Sequence, residues 1–276
     1  MLSWFRGRRG GGHDDDDPEH LLARGDVDQA LAVIENLLAE DPENEPLRRA
    51  LAEALHRTGD RQKAVGVLFD LANELAHDGH VTRSFAVLKQ AEQLDPSPEA
   101  SDRAVEMMKA ANQAASITFT TSEIVLEDWL AKAEEREDFL GSPFFADLSE
   151  RELGLLFDEL RLRLKHPGAL IYAAGEPAGG LFVLASGAVR VYEPDDQERH
   201  HQVALLREGD VFGVGGVLGL GRRTHTVTAA GQCEILEIDR ALFDRLAGRH
   251  PMLRARVEAI AAERAKAEPG SDDEPA

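Results

Sequence analysis

Cysteine is nearly absent from this chain. Cys233 is the only one in 276 residues, so no disulfide can form within the chain, and a reducing compartment fits. No CxxC or HExxH occurs, which removes the common zinc signatures. Aromatic residues are few, at 5%, with two Trp and two Tyr. No apolar run approaches the roughly 18 residues a membrane span needs. Basic residues are scarce relative to acids: 31 Lys and Arg face 51 Asp and Glu, for a formal charge of −20. A phosphate backbone repels such a chain, so nucleic acid is not an expected partner. A cytoplasmic location is expected.

What is present divides by texture. "MLSWFRGRRGGG" is too short in its apolar part for a signal peptide. Residues 1–17 read as a disordered segment, and residues 1–9 are the one stretch with a reading toward a membrane surface. "HDDDDPEH" reads as a solvated acidic linker. The 43% hydrophobic content is enough for real cores.

Residues 18–113 read as a helical repeat domain. "RGDVDQALAVIENLL" from Arg24 and "TGDRQKAVGVLFDLA" from Thr58 align at a spacing of 34: Gly25 with Gly59, Asp26 with Asp60, Ala30 with Ala64. Each aspartate stands where a helix N-cap belongs. Ala30, Val33, Ile34, Leu37 and Leu38 form one apolar stripe; Ala64, Val67, Leu68, Leu71, Ala72 and Leu75 form another. A helix between Asn44 and His56 partners the second. A third begins after Asp78-Gly79, with Val81, Phe85, Leu88, Ala91 and Leu94 on its face. This pattern resembles the tetratricopeptide repeat family, although the third unit is offset by 20 residues, Ala64 to Ser84. The resemblance implies stacked helix hairpins presenting a surface to a protein partner; the alternative is a bundle that only props up the second domain.

Residues 114–142 read as a linker with a helix at 124–138, after "SITFTTSE" breaks the preceding helix. The Met107-Met108 pair reads as packing. A boundary near Gly141 is expected.

From Pro143 the chain reads as short strands and turns. Ser149 and Glu152 form a capping box. "ALIYAAGE", "GLFVLASG", "AVRVYEPDD", "HQVALLREGD", "DVFGV", "HTVTAAG" and "CEILEIDR" read as strands at about ten-residue spacing, the mark of an antiparallel roll. Two helices follow, and residues 267–276 read as a disordered acidic tail. The fold expected is therefore α+β and multidomain: helical repeats, then an antiparallel β-roll with flanking helices.

The ordered pieces "FFADLSERELGLL", "LFVLASGAVRVY", "LREGDVFG", "RRTHTVTA" and "CEILEIDRALFDRL" resemble the cyclic-nucleotide-binding domain family across about 143–266. That family uses Phe-Gly-Glu to open a phosphate cassette, with an arginine nine residues beyond the glutamate. The arginine pairs with the cyclic phosphate and the glutamate reads the ribose hydroxyl. Here Phe212-Gly213 match the opening and Arg223 matches the arginine, but Val214 stands at the glutamate position. The resemblance implies a ligand site at Gly213, Val214, Gly215, Gly216, Arg223 and Thr224. Cyclic AMP or cyclic GMP is the implied ligand, weakened by Val214. Asp210 reads as holding the turn before Phe212, so no substitute acid is seen. Arg222 reads as solvated surface, and His200, His201 and His225 receive no role.

No nucleophile–base set stands out, so the expected function is a non-enzymatic regulator or adaptor; the alternative is a scaffold whose roll binds no nucleotide. No helix-turn-helix follows the helix near Ala265, which argues against the family's DNA-binding branch. That helix, 251–265, has two readings: a homodimer seam, or packing back on the roll.

Overall fold

The computed structural model describes residues 17–121, 144, 145, 148–194 and 200–267. The expectations for residues 1–9, the helix at 124–138 and the boundary near Gly141 lie outside them. The chain forms two compact units, Met1–Ala111 and Asn112–Ala276.

The first unit contains α1 (Pro18–Arg24), α2 (Val27–Glu40), α3 (Glu45–Arg57), α4 (Arg61–His77), α5 (Val81–Leu94) and the start of α6 (Pro98–Thr121). α6 runs on to Thr121, so "SITFTT" does not break the helix as expected. The two aligned alanines explain the repeat. Ala30 and Ala64 are fully buried, where only a small side chain lets neighbouring helices approach. Ser84, at the third such position, is also buried, and its hydroxyl donates to the Ala72 carbonyl at 2.7 Å. Asp26 and Asp60 hold the N-cap positions but accept no capping hydrogen bond. Asp60 instead pairs with Lys63 at 2.6 Å and Asp26 with Arg24 at 3.4 Å. Arg49, buried on α3, donates to Glu45 and to Gln90 on α5, so a satisfied polar network joins these two helices. Met108 is fully buried, in keeping with packing.

The second unit begins its regular structure with α7 (Glu150–Glu159). Its capping box is formed: Ser149 Oγ accepts from the Glu152 amide, and the Glu152 carboxylate accepts from the Ser149 amide at 2.8 Å. Among the described residues eight strands follow: β1 (Arg161–Lys165), β2 (Leu170–Tyr172), β3 (Gly180–Ser186), β4 (Val189–Pro194), β5 (His200–Leu206), β6 (Val211–Phe212), β7 (Thr226–Ala229) and β8 (Cys233–Asp239). They form two antiparallel four-stranded sheets, ordered β1-β8-β3-β6 and β2-β7-β4-β5. β1 was not anticipated from the sequence. Short α8 (Gly215–Leu218) interrupts the strands between β6 and β7, and α9 (Arg240–Arg249) and α10 (Pro251–Ala267) close the unit. Asp239 caps α9, accepting from the Leu242 amide at 2.8 Å.

The core between the sheets includes Phe182, Leu184, Val189, Phe212, Val227 and Ile235. β3 is buried along its whole length, a strand covered on both faces. Leu253, Val257 and Ile260 of α10 are buried within the chain, so of its two readings this helix packs back on the unit that carries the roll. A homodimer seam would have to use another of its faces.

Cys233 lies in this core, and burial pushes its thiol up to about 11. Because the thiolate is the nucleophile, native protein at pH 8 is expected to resist a disulfide-exchange reagent and to release one equivalent of thiol only on denaturation. Rapid labelling of folded protein would show the core to be open there.

Candidate functional site

A cavity of about 560 Å³ opens between the β2-β7-β4-β5 sheet and the segment 212–225. Its floor is aromatic, with Tyr172 and Phe212 in the lining. These two rings and Phe182 stack with centroids 5.2–6.3 Å apart and planes within 24–29°. The guanidinium of Arg223 lies over this floor, 4.4 Å from the Tyr172 centroid and 5.1 Å from that of Phe182. Such stacking holds a guanidinium plane in place without neutralising it.

Backbone pairing aims the arginine. Arg223 N–H donates to the Glu176 carbonyl, Gly175 N–H donates to the Arg223 carbonyl, and Ala178 N–H donates to the Gly221 carbonyl, at 2.8–3.0 Å. A bridge between Pro177 and Arg222 completes this join of the β2–β3 loop to the cassette arm. At the side-chain end, Nη1 donates to the carbonyls of Gly180 and Gly213, both at 2.9 Å.

Arg223 is only 9% exposed. Among the described residues no carboxylate lies within ion-pair reach of it, and its Nε and Nη2 hydrogens have no protein acceptor. Burial pulls the guanidinium below the usual arginine value; Tyr172, Glu237 and Glu176 oppose that from a distance. Arginine stays protonated under such shifts. A buried cation that lines a cavity without a counter-charge is an arrangement that an anion completes.

Gly213, Val214, Gly215, Gly216, Arg223 and Thr224 all line the cavity. The glycines do more there than loosen the chain. Gly213 has φ +68°, and a Cβ on it would meet Arg223 Nη1 at 2.7 Å; one on Gly216 would meet the Gly180 carbonyl oxygen at 2.4 Å. The cassette is pressed against β3 and the arginine, and only hydrogens fit. Gly219, at φ +91°, ends α8 and returns its amide to the Gly215 carbonyl. Asp210 accepts from the Arg207 amide at 2.8 Å and so holds the turn before Phe212, as read from the sequence.

Several residues to which the sequence reading gave no site role also reach the cavity. Tyr172, Arg222, Glu193 and His201 line it as well. The aromatic at Tyr172 was legible as a strand residue but not as the arginine's support. Arg222 Nη1 donates to the Gly175 carbonyl at 2.5 Å and is exposed, so its solvated-surface reading agrees with its position. Glu193 supplies a carboxylate to the wall, where no substitute acid was foreseen. Its pairing with β5 carries the signal, and that is not a local one.

Residues 162–250 match the family model for the cyclic nucleotide-binding domain, and residues 21–84 match that for the tetratricopeptide repeat. The cyclic AMP receptor protein of Thermus thermophilus is 30% identical over 124 residues, covering 45% of this chain and 57% of the receptor. The cAMP-dependent protein kinase regulatory subunit of Dictyostelium discoideum is 29% identical over 144 residues, covering 50% of this chain and 44% of the subunit. The crystal structure of the Thermus thermophilus catabolite activator protein superposes with a TM-score of 0.42 at 29% identity, over 45% of this chain and 59% of that one. The chain thus spans about half the length of the curated relatives named here. The two matches fall in chain order on the two kinds of structure described above: the tetratricopeptide repeat match on the helical unit, and the cyclic nucleotide-binding domain match on the roll and its cavity.

Proposed function

We propose that this chain is a non-enzymatic regulatory protein whose roll takes up a cyclic nucleotide, or a related phosphate ligand, while its helical repeats engage a protein partner. One observation carries the ligand reading: Arg223 is buried, aimed into a cavity and stacked on Tyr172, with no carboxylate within ion-pair reach among the described residues. The cavity volume falls in the range of about 300–1,000 Å³ usual for small-molecule sites. The regulatory part is supported by the relatives, which are named as a receptor and as a kinase regulatory subunit. The partner part is supported by the repeats, whose stacked hairpins expose an extended surface.

A second reading has its own observation. Val214 replaces the carboxylate that would read a sugar hydroxyl, and a roll without that contact can persist as a scaffold. The affinity separates the two. A lost hydrogen bond to a charged group weakens binding by roughly ten- to a few hundredfold. Calorimetric titration of the full chain with cyclic AMP and with cyclic GMP is expected to show saturable binding, in the micromolar to millimolar range, for at least one of them. No heat of binding at several millimolar ligand would leave the scaffold reading standing instead.

A further inference from the structure

Glu193 is the one carboxylate lining the cavity among the described residues. It sits near the end of β4, two residues beyond Val191, which also lines the cavity. Residues two apart on a strand share a face, so β4 turns an apolar and then an acidic side chain toward the same space.

Its partner is placed by a register shift. Val191 opposes Ala204, but Tyr192 opposes Gln202, so Val203 is an extra residue in β5. Without that bulge the register would run on unbroken from Ala204, and Glu193 would oppose Gln202. With it, Glu193 opposes His201, and the two side chains meet at 3.7 Å, both on the cavity wall. Bulges of this kind re-aim side chains. The pair is substantially exposed, so as an ion pair it contributes little to stability. Its placement has to be explained by what faces it.

We infer that Glu193, oriented by His201, takes over from the missing cassette acid and accepts a hydrogen bond from a donor on the ligand's nucleoside end. This rests on the reading of Arg223 as the phosphate anchor. The site then has two poles: cationic at Arg223, acceptor at Glu193. The ligand it fits is an anion that also carries an O–H or N–H donor, as a cyclic nucleotide does; a bare anion uses only the first pole.

The opposing expectation has the opposite sign. A carboxylate that merely borders an anion site repels the anion, so removing its charge tightens binding. Calorimetry on the full chain compares wild type, Glu193→Gln and Arg223→Ala, with cyclic AMP and with inorganic phosphate as probes. Glu193→Gln is expected to bind cyclic AMP about ten- to a hundredfold more weakly and to bind phosphate as well as wild type or better. Arg223→Ala loses both probes. Unchanged or tighter cyclic AMP binding in Glu193→Gln, while Arg223→Ala abolishes it, overturns the role of Glu193 and leaves the phosphate anchor intact. Equal weakening of both probes by Glu193→Gln overturns it too, because that pattern reports a damaged roll. A wild type that binds neither probe removes the anchor, and this inference with it.

Discussion

Exchanging Arg223 for alanine is expected to weaken cyclic AMP binding by at least about a hundredfold. Among the described residues the guanidinium keeps two sets of N–H groups without a protein acceptor, at Nε and Nη2, while Nη1 is held by the Gly180 and Gly213 carbonyls. Each charge-assisted hydrogen bond to an anion contributes roughly 1.5–3 kcal/mol, and each 1.4 kcal/mol is about a factor of ten in affinity. Two such bonds give the hundredfold at the low end. Lysine is not expected to rescue the site. It keeps the charge but has neither the fork nor the flat face that rests on Tyr172 and Phe182. Arg223→Lys is therefore expected to fall between wild type and alanine, nearer alanine. The unliganded protein should feel little of this. Alanine orphans two carbonyls but also relieves a buried, uncompensated cation, and the two effects oppose each other. Titration calorimetry and thermal unfolding of the same samples check both halves. Wild-type affinity in Arg223→Ala would end the phosphate-anchor reading.

The parts of this molecule that were legible in its sequence are those governed by local period. The 34-residue spacing of Ala30 and Ala64 marks two buried helix contacts because a stacked helix repeats its closest approach once per unit. The Ser149–Glu152 capping box was legible because both of its bonds close within four residues. Other features depend on choices that spacing does not encode. Asp26 and Asp60 stand at N-cap positions, yet their carboxylates turn to nearby cations instead. β1 was missed because "RLRLK" is mostly exposed, and its pairing with β8 spans about seventy residues. In the site, the order of Phe212, Gly213 and Arg223 pointed to the cassette, but Glu193 reaches the cavity through a bulge visible only in the pairing of β4 with β5. Nor does residue order say why the cassette is rich in glycine: Gly213 and Gly216 are where backbone, arginine and β3 come too close for any side chain.

That closeness gives the second large effect. Gly216→Ala is expected to destabilise the roll and to abolish ligand binding together. The added methyl would sit 2.4 Å from the Gly180 carbonyl oxygen, 2.9 Å from the Gly180 nitrogen and 3.1 Å from Arg223 Nη1. The first two are backbone atoms of β3 and cannot rotate away. The same Gly180 carbonyl also accepts the hydrogen bond that positions Arg223, so any shift that makes room moves the anchor. Against this, alanine is the better helix former by about 0.8–1 kcal/mol, and Gly216 lies in α8. Overpacking usually costs about 1–3 kcal/mol, so the clash outweighs the helical gain. The same exchange at Gly66 in α4 isolates the smaller term, because nothing lies within 4 Å of a Cβ there. Gly66→Ala is expected to raise stability by up to about 1 kcal/mol, whereas Gly216→Ala lowers it by up to about 2 kcal/mol, net of the same helical gain. Urea denaturation of both variants reads the difference, and titration with cyclic AMP reads the anchor. If Gly216→Ala matched Gly66→Ala in stability and still bound ligand as wild type does, the tight seat of the cassette on β3 would not be what holds Arg223 in place.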